Sequence, residues 1–334
     1  MKKLLIIFLM ITSLFAGERL RVATYNVNNL FDLKKDGHEY KEYIPNTSSQ
    51  WNKRAYWVKR RNLTKVIKDI DADILALEEV ESLQALKDLR ETLKQEGLYY
   101  PYFKIADKKN TTVKVAILSK IPFVYTREVM VRYSFKYRNI LEAKFKIGRE
   151  ELYVFVNHWK SKSGPEKMRI VSAKALKKRL KDIGYDKNII ILGDFNSDYE
   201  EYKRFRKNKK LNNTNGYTGI NDVLRTKNQT SKVKNTRYEE ESFYNLWYDT
   251  DENNRYSYIY KGKKEALDNI IVSQALLKKR GLYYVENSIT NLHKKYLFKK
   301  KYIYRWQTTY GRVRVHKAKG FSDHLPVMAD FKAP

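Results

Sequence analysis

The chain of 334 residues is 42% hydrophobic and 14% aromatic, enough to bury a sizeable core in one large domain or two medium ones. It contains no cysteine, which excludes disulfide bonds, thiolate metal sites and a lipid anchor attached through cysteine. The 68 Lys and Arg against 38 Asp and Glu give a formal net charge of +30, which favours nucleic acid or another anionic surface as partner.

The N-terminus, residues 1–16, is typical of a secretory signal peptide. Lys2 and Lys3 precede an apolar segment, Leu4 to Phe15, that is too short to span a membrane, and Ala16 is a small residue at a plausible cleavage point. Cleavage would remove two positive charges and leave +28. We therefore predict an exported protein, periplasmic or extracellular, with no stable membrane anchor after cleavage. An uncleaved anchor is the alternative.

The first part of the mature chain predicts strands and amphipathic helices in alternation. A strand over Leu20–Asn28 precedes a helix over Trp51–Ile70 and a buried strand over Ala72–Val80. A capped helix follows over Ser82–Lys94, with Leu83, Leu86, Leu89 and Leu93 on one face. The stripe predicted for the first helix consists of Trp57, Leu63, Val66, Ile67 and Ile70.

Further strands and one long helix follow. We predict a strand over Val113–Leu118, a hairpin of Arg138–Phe145 with Glu151–Val156, and a helix over Pro165–Ile183. Strands are also predicted over Ile189–Leu192, over Ala266–Val272 and at the C-terminus. Residues 199–262 form a basic, aromatic-rich insert with little periodicity, in which Tyr256–Tyr260 fits an edge strand. The pattern alone predicts only a mixture of α and β.

Polar side chains recur where the apolar strands end. Gly193 allows a sharp turn that presents Asp194 and Asn196. Two carboxylates close the strand Ala72–Val80, and because buried charge is costly without compensation, one of them, Glu79 in our interpretation, is a candidate cation ligand. Each cluster alone is also an ordinary turn signal. The other members are Asn26, Asn28, Asn157, His158, Asp268, Asp323 and His324.

Together these clusters resemble the endonuclease/exonuclease/phosphatase family, which includes deoxyribonuclease I, abasic-site endonucleases and bacterial sphingomyelinases. The motifs occur in the order of that family, from about Leu20 to Phe331. The resemblance implies an α/β (α+β) fold, a four-layer αββα sandwich of two mainly antiparallel sheets flanked by helices. We expect one domain over residues 17–334, a monomer, within the exported bacterial nuclease branch. The motifs are Asn26-Val-Asn28, Leu77-Glu-Glu79, Asn157-His158, Gly193-Asp-Phe-Asn196, Leu267-Asp268 and Ser322-Asp-His324.

The resemblance also implies roles for these residues. Glu79 would be the main Mg²⁺ ligand, with Asn28 and Asp323 near the metal. Because the ligands are oxygens, Mn²⁺ and Ca²⁺ are the alternatives and zinc is disfavoured.

For the reaction itself, Asp194 would position or deprotonate the attacking water, and Asp268 would orient His324. Asn26 and Asn196 would hold the phosphate, with Arg138 as a further candidate phosphate contact. His158 would contact a phosphate oxygen or assist the leaving group.

Two positions depart from the family pattern. Many members carry Asp where this chain has Asn28, which would weaken that metal contact. Deoxyribonuclease-like members pair a carboxylate with the histidine equivalent to His158, whereas Lys114 or a neighbour stands there in our alignment.

The substrate is not fixed by the fold. Export and the positive charge favour a metal-dependent phosphodiesterase that hydrolyses nucleic acid with low sequence specificity, DNA before RNA. Codon bias in an AT-rich genome is the alternative explanation of the charge. One alternative is a secreted sphingomyelinase or other phospholipid phosphodiesterase, for which Phe243–Trp247 could serve as the membrane segment. The others are a non-catalytic nucleic-acid-binding protein and a sugar- or inositol-phosphate phosphatase.

Overall fold

A computed structural model of the protein describes residues 19–226, 241–309 and 311–333. The predicted signal peptide therefore lies outside the described residues, as does part of the predicted insert. Within the described ranges, no helix combines the length and the apolarity that crossing a bilayer requires.

The helices carry the caps that their sequences predict. Asn52 caps the first helix by accepting from the Ala55 amide, and Ser82 caps the second by accepting from the Ala85 amide. Short 3-10 turns and one π-helical turn, Gly219–Val223, occur in the connections. The α-helices described are α1 Lys53–Ile70, α2 Leu83–Gln95, α3 Glu166–Ile183 and α4 Glu201–Phe205.

The strands are most regular where β-branched residues are concentrated. In chain order they are β1 Arg19–Leu30, β2 Ile74–Val80, β3 Tyr102–Ile105, β4 Lys114–Ser119, β5 Phe123–Val129, β6 Ile140–Ile147, β7 Glu150–His158, β8 Asn188–Asp194, β9 Phe243–Asn245, β10 Tyr258–Tyr260, β11 Lys263–Glu265, β12 Asp268–Ser273, β13 Tyr283–Tyr284, β14 Thr290–Asn291, β15 Phe298–Lys299, β16 Tyr302–Ile303 and β17 Val327–Lys332.

Most of these strands belong to two large, mainly antiparallel sheets. The first has the order β13-β17-β1-β2-β4-β3, with β14 also paired to β17, and the second has the order β5-β6-β7-β8-β12-β9. Only β1 with β2 and β7 with β8 run parallel within the described pairs. The carboxyl ends of these four strands therefore lie at one edge of the sandwich, where the polar clusters occur.

Three apolar clusters hold the layers together. The middle cluster joins the facing sides of the sheets, for example Val22 and Ile74 of the first with Val154 and Ile190 of the second. One outer cluster packs α1 and α2 on the first sheet, and the other packs α3 on the second. This order of layers confirms the predicted αββα sandwich with flanking helices.

The predicted helices are confirmed, but parts of their apolar stripes are wrong. Trp57 is half exposed, because it lies six residues before Leu63 and is out of phase with the buried face. Leu83, in the first turn of α2, is also exposed. On α3, Met168, Val171 and Ile183 are only half-buried, and the face toward the sheet is formed by Ile170, Ala173, Leu176 and Leu180.

Parts of the predicted insert contribute to the sandwich. The strand β9 extends the second sheet beside β12, and the π-helical turn packs on α3. Phe243, Leu246 and Trp247 are buried, so the segment suggested for membrane insertion is a core element instead. The remaining residues of the insert, 227–240, lie outside the described ranges.

Candidate functional site

A cleft of about 670 Å³ opens at the edge where the parallel strands end. Seven of the residues predicted from the sequence line it, namely Glu79, Arg138, His158, Asp194, Asn196, Asp323 and His324. The other three, Asn26, Asn28 and Asp268, each donate to or accept from one of the lining residues. The fold therefore brings together all ten residues that were given a role. Asn157, from the same clusters, is buried instead, where it donates to the Phe155 carbonyl and accepts from Trp159 Nε1.

Asp194 ends β8 at the floor of the cleft. Gly193 before it has a φ of +131°, and an added Cβ would lie 2.0 Å from the carbonyl oxygen of Asn157. Only glycine therefore lets β8 approach β7 so closely at this point. In register, Asp194 lies beside His158 of β7 and Asp268 of β12.

The carboxylate of Asp194 is held by amide groups. Its Oδ1 accepts from the Asn196 backbone amide at 2.8 Å, and its Oδ2 accepts from Asn26 Nδ2 at 3.0 Å and Asn196 Nδ2 at 3.1 Å. Burial raises the pKa of Asp194 to about 7, against the opposing influence of His324. Asp194 is thus an oriented carboxylate that exchanges protons near neutral pH.

His324 is oriented by a buried carboxylate. Its Nδ1 lies 2.6 Å from Oδ2 of Asp268, which is fully buried. Burial alone would lower the pKa of His324, but Asp268, together with Asp194 and Asp323, outweighs it and raises the pKa well above its usual value. His324 is therefore an imidazolium whose Nε2 remains for an anionic ligand.

His158 has the opposite character. Its Nε2 is 3.5 Å from Asp194 Oδ2 and 3.9 Å from Glu79 Oε1, and Nδ1 has no hydrogen-bond partner among the described residues. Burial, and then Arg138, lower the pKa of His158 well below its usual value, so the ring is neutral. Lys114, which the sequence alignment placed beside it, donates to the carbonyl of Glu81 instead.

Glu79 reaches the cleft through a bulge in β2. Its φ is +66°, and the register with β1 and β4 shifts next to it. Its side chain is 20% exposed, whereas Glu78 is fully buried and accepts from the Thr24 hydroxyl at 2.7 Å. Burial, followed by the charge of Asp323, raises the pKa of Glu79. Of the two adjacent glutamates, only Glu79 lines the cleft.

Asn28 and Asp323 complete this side of the cleft. Asn28 Nδ2 donates to Asp323 Oδ1 at 2.7 Å, and Asn28 has a φ of +52°. Lys59 of α1 contacts this pair, which the sequence analysis did not predict. Its Nζ donates to the Asn28 carbonyl at 2.9 Å and to the Phe321 carbonyl at 3.3 Å. Burial lowers the pKa of Lys59 to about 7.

Lys59 had a signal in the sequence. It continues the buried stripe of α1 toward the N-terminus, four residues before Leu63, and a lysine on an apolar face indicates a buried polar contact. Tyr258 was also missed. Its ring lies 4.9 Å from that of His324, and its backbone forms an isolated bridge to the same residue. No local pattern in the sequence predicts that contact.

The cleft fits a hard divalent cation. Ligand atoms of Glu79, His158 and Asp194 lie within 4.8 Å of one another. Those of Asp194, Asp268 and His324 are equally close, but there the imidazolium of His324 already pairs with Asp268. Asp323 is not part of either group but shares the cleft. The raised pKa values of Glu79 and Asp194 show that these carboxylates are buried with too little compensating charge, which a bound cation would supply.

Comparisons with known proteins agree with this arrangement. A model of the endonuclease/exonuclease/phosphatase family matches residues 21–333. No curated protein matches the sequence significantly.

Solved structures have the same fold at low sequence identity. D. rerio TDP2 complexed with a single-strand DNA product superposes with a TM-score of 0.58 at 13% identity, covering 94% of this chain and 99% of that one. Truncated Caenorhabditis elegans TDP2 has a TM-score of 0.55 at 16% identity, covering 94% and 98%. A mannosyl-6-phosphatase of Bacteroides thetaiotaomicron has a TM-score of 0.55 at 17% identity, covering 93% and 99%.

Proposed function

Because the chain belongs to the endonuclease/exonuclease/phosphatase family, we propose that its cleft hydrolyses the phosphodiester bonds of nucleic acid with the help of a divalent cation, Mg²⁺ in the first place. The observation that carries this proposal is the convergence of an oriented carboxylate, Asp194, with an imidazolium, His324, in one cleft. Attack of water on phosphorus needs a base for the water and positive charge for the phosphate oxygens.

The cation has a defined place in this proposal. Glu79 would hold it, with Asn28 and Asp323 alongside, and Mn²⁺ or Ca²⁺ would fit the same oxygen ligands. When bound, such a cation supplies a Lewis acid that neutralises charge on the phosphate oxygens.

The other side chains act on water and phosphate. Asp194 takes the proton of the attacking water, and the amides of Asn26 and Asn196 keep its oxygens in place. Asn26 Nδ2 and Asn196 Nδ2 both donate to Asp194, and because each amide carries two N–H groups, contact of Asn26 and Asn196 with the phosphate remains part of this proposal. His324, held by Asp268, donates from Nε2 to a phosphate oxygen.

His158 and Arg138 complete the set. A neutral imidazole carries one N–H, so His158 donates a hydrogen bond to the phosphate or the leaving oxygen but stores no proton at neutral pH. Arg138 lines the cleft, where its guanidinium can pair with a phosphate.

Three considerations favour nucleic acid over other phosphodiesters. The formal charge of +30 strengthens sequence-independent binding to a phosphate backbone. Phe243–Trp247, the segment suggested for insertion into a bilayer, is buried, which removes that support for a lipid substrate. TDP2 of D. rerio, which shares the fold, was crystallised with a single-strand DNA product. We further propose an exported monomer of the bacterial nuclease branch, acting in the periplasm or outside the cell.

The test is cleavage of supercoiled plasmid, linear DNA and RNA by the mature protein in Mg²⁺ and in EDTA. An Asp194→Ala/His324→Ala double variant with an unchanged thermal midpoint controls for contaminating nucleases. Cleavage that requires both the metal and the intact pair is expected. Hydrolysis of bis-p-nitrophenyl phosphate without cleavage of any nucleic acid would overturn the choice of substrate and leave a phosphoesterase of another class.

The export proposal has its own test. The full chain is expressed with its own N-terminus, and the protein recovered from periplasm and medium is sequenced from the N-terminus. A start near residue 17 is expected, and an intact Met1 in the cytoplasm would contradict export.

A further inference from the structure

An exposed segment beside the catalytic cleft has no role in the proposed chemistry apart from Arg138. It is the part of the connection between β5 and β6 that comprises residues Met130–Arg138, which we name the aromatic loop. The side chains of Tyr133 and Phe135 are 93% and 77% exposed, and neither ring stacks on another ring or a cation among the described residues. Neighbouring aromatic side chains exposed to this extent lower the solubility of a protein and indicate a surface that contacts another molecule.

The aromatic loop lies at the edge of the sandwich that carries the site. Because β6 is antiparallel to β7, its first residues lie beside the last residues of β7, next to His158. The loop borders a second cavity of about 650 Å³, which Lys108–Asn110 also line. Arg138 lines the catalytic cleft and the next residue, Asn139, lines the second cavity, so the two spaces adjoin.

The loop is fixed in place from beneath. Lys109 Nζ donates to the carbonyls of Arg132 and Tyr137 at 2.8 Å each and also contacts the carbonyl of Ser134. Three carbonyls gathered on one ammonium group restrain the backbone of the loop. Less backbone entropy is then lost when a ligand covers the two rings.

The base of the second cavity is similarly braced. Glu128 accepts from the Lys108 amide at 3.0 Å and from Asn139 Nδ2 at 2.8 Å. Its carboxylate oxygens are thus occupied by donors of the protein.

The charges around the rings match a phosphate backbone. From Met130 to Arg138 the sequence has three basic residues, Arg132, Lys136 and Arg138, and no acidic one. Lys108 and Lys109, which also line the second cavity, add positive charge, and Glu128 is the acidic residue lining it. Aromatic rings interleaved with Lys and Arg are the arrangement by which proteins hold unpaired bases and their backbone.

We propose that the aromatic loop binds unpaired bases of single-stranded nucleic acid on Tyr133 and Phe135, while Arg138 leads the backbone into the catalytic cleft. This inference rests on the proposed function and deepens it by naming the substrate class. In a duplex the faces of the bases are stacked on one another, so they cannot also cover these rings. Single strands and frayed ends are accordingly preferred over intact duplex.

The experiment measures binding of nucleic acid in EDTA, which removes the divalent cation and so prevents the proposed hydrolysis. Fluorescence anisotropy gives the Kd for a labelled strand of about 12 nucleotides, a length within the usual site size, and for the corresponding blunt duplex at the same ionic strength. A fluorescent base analogue in the strand reports stacking directly.

Tyr133→Ala/Phe135→Ala is compared with wild type and with Tyr99→Ala. Tyr99 is another exposed tyrosine, but it precedes β3, whose other end leads toward Lys108 and the second cavity.

The expected loss is specific for the single strand. The double alanine variant weakens single-strand binding about 10-fold or more and duplex binding less than about 2-fold, because each stacked base contributes a measurable part of the affinity. Tyr133→Trp/Phe135→Trp keeps the ring faces and restores binding and the analogue signal. Tyr99→Ala behaves like wild type.

Other outcomes overturn the inference in distinguishable ways. If the alanine variant binds the single strand and the duplex as tightly as wild type does, the loop does not bind the nucleic acid, and the nuclease proposal still stands. Loss of binding to phosphatidylserine vesicles with no change in oligonucleotide affinity would assign the loop to a membrane surface. Absence of all nucleic acid binding and cleavage, with retained hydrolysis of bis-p-nitrophenyl phosphate, would overturn the proposed function itself.

Discussion

Two adjacent glutamates of β2 provide a matched test of the metal site. Glu79 lines the cleft at the bulge, whereas Glu78 is buried and accepts from the Thr24 hydroxyl. Burial, and then the charge of Asp268, raise the pKa of Glu78 well above its usual value. Replacing Glu79 by Gln therefore removes a carboxylate that lines the cleft, whereas replacing Glu78 by Gln alters one that does not.

The magnitude follows from binding linkage. A cation present at about 100 times its Kd stabilises the folded state by about 2.7 kcal/mol. For a chain of this size that is a rise of about 4 °C in the thermal midpoint. Glu79→Gln should lose most of this rise and about 100-fold or more in kcat, since even residues that only support metal ligands cost about 10- to 100-fold. Glu78→Gln should keep the rise and stay within about 3-fold of wild-type activity.

The two variants also differ in EDTA. Glu79 and Asp323 repel each other in the cleft without a cation, so Glu79→Gln should melt no lower than wild type when metal is removed. The assay is differential scanning fluorimetry in EDTA and in a Mg²⁺ series, with plasmid nicking and bis-p-nitrophenyl phosphate hydrolysis as activity readouts. An undiminished Mg²⁺ shift in Glu79→Gln, or an equal loss of activity in both variants, would refute the assignment of Glu79.

Three further substitutions test the base, the backbone and the core. Asp194→Asn should lower kcat about 10²- to 10⁴-fold through loss of the base, and unchanged kcat would exclude that role. Gly193→Ala should lower the free energy of unfolding, measured by urea titration, by about 2–5 kcal/mol because of the positive φ and the contact with Asn157. Gly97 also has a positive φ but has open space around it, so Gly97→Ala should lower the free energy of unfolding by only about 1 kcal/mol. Arg169→Met should lower the free energy of unfolding by about 3–5 kcal/mol, because it leaves the buried Glu166 carboxylate without its ion-pair partner. The double variant Arg169→Met/Glu166→Gln should lose less stability, and equal losses in the two variants would contradict this reasoning.

Local patterns predicted the helices and most of the strands because they depend on neighbours in sequence. The helix α1 shows where this reasoning fails. Its true stripe runs from Lys59 through Leu63 and Ile67 to Ile70, and the apolar Trp57 lies off that stripe. Trp57 is apolar, but its position along the helix turns it away from the buried face. Lys59 on that face was unexpected, because the carbonyl groups that accept from it, those of Asn28 and Phe321, are remote in sequence.

The pairing of the strands could not be predicted from such patterns. The last strand, β17, lies beside the first, β1, and β14 was too short to be recognised before its partner was known. The edge strand β3, Tyr102–Ile105, was missed because only its last residue is buried. The layered architecture came from the family resemblance, which carries long-range information that composition and periodicity lack.

The same distinction applies to the site. The motifs predicted which residues meet, because strand ends at one edge of a sheet must be close. They did not predict the protonation states, since the neutral His158 and the cationic His324 differ only in what surrounds them. They also did not predict that Asn26 and Asn196 both donate to Asp194.

Backbone conformation explains why the cleft occurs where the strands end. Asn28, Glu79 and Asn196 all have positive φ, and each lies at a point where a strand bulges or stops. Asparagine tolerates this region, but for glutamate it costs about 1 kcal/mol or more. In a regular strand Glu78 and Glu79 would alternate between faces, so the bulge is what turns Glu79 into the cleft while Glu78 stays in the core. The strain at Glu79 therefore accompanies the placing of an ionisable side chain in the same cleft as Asp323, an arrangement that is unfavourable for the folded chain alone and that a bound divalent cation would make favourable.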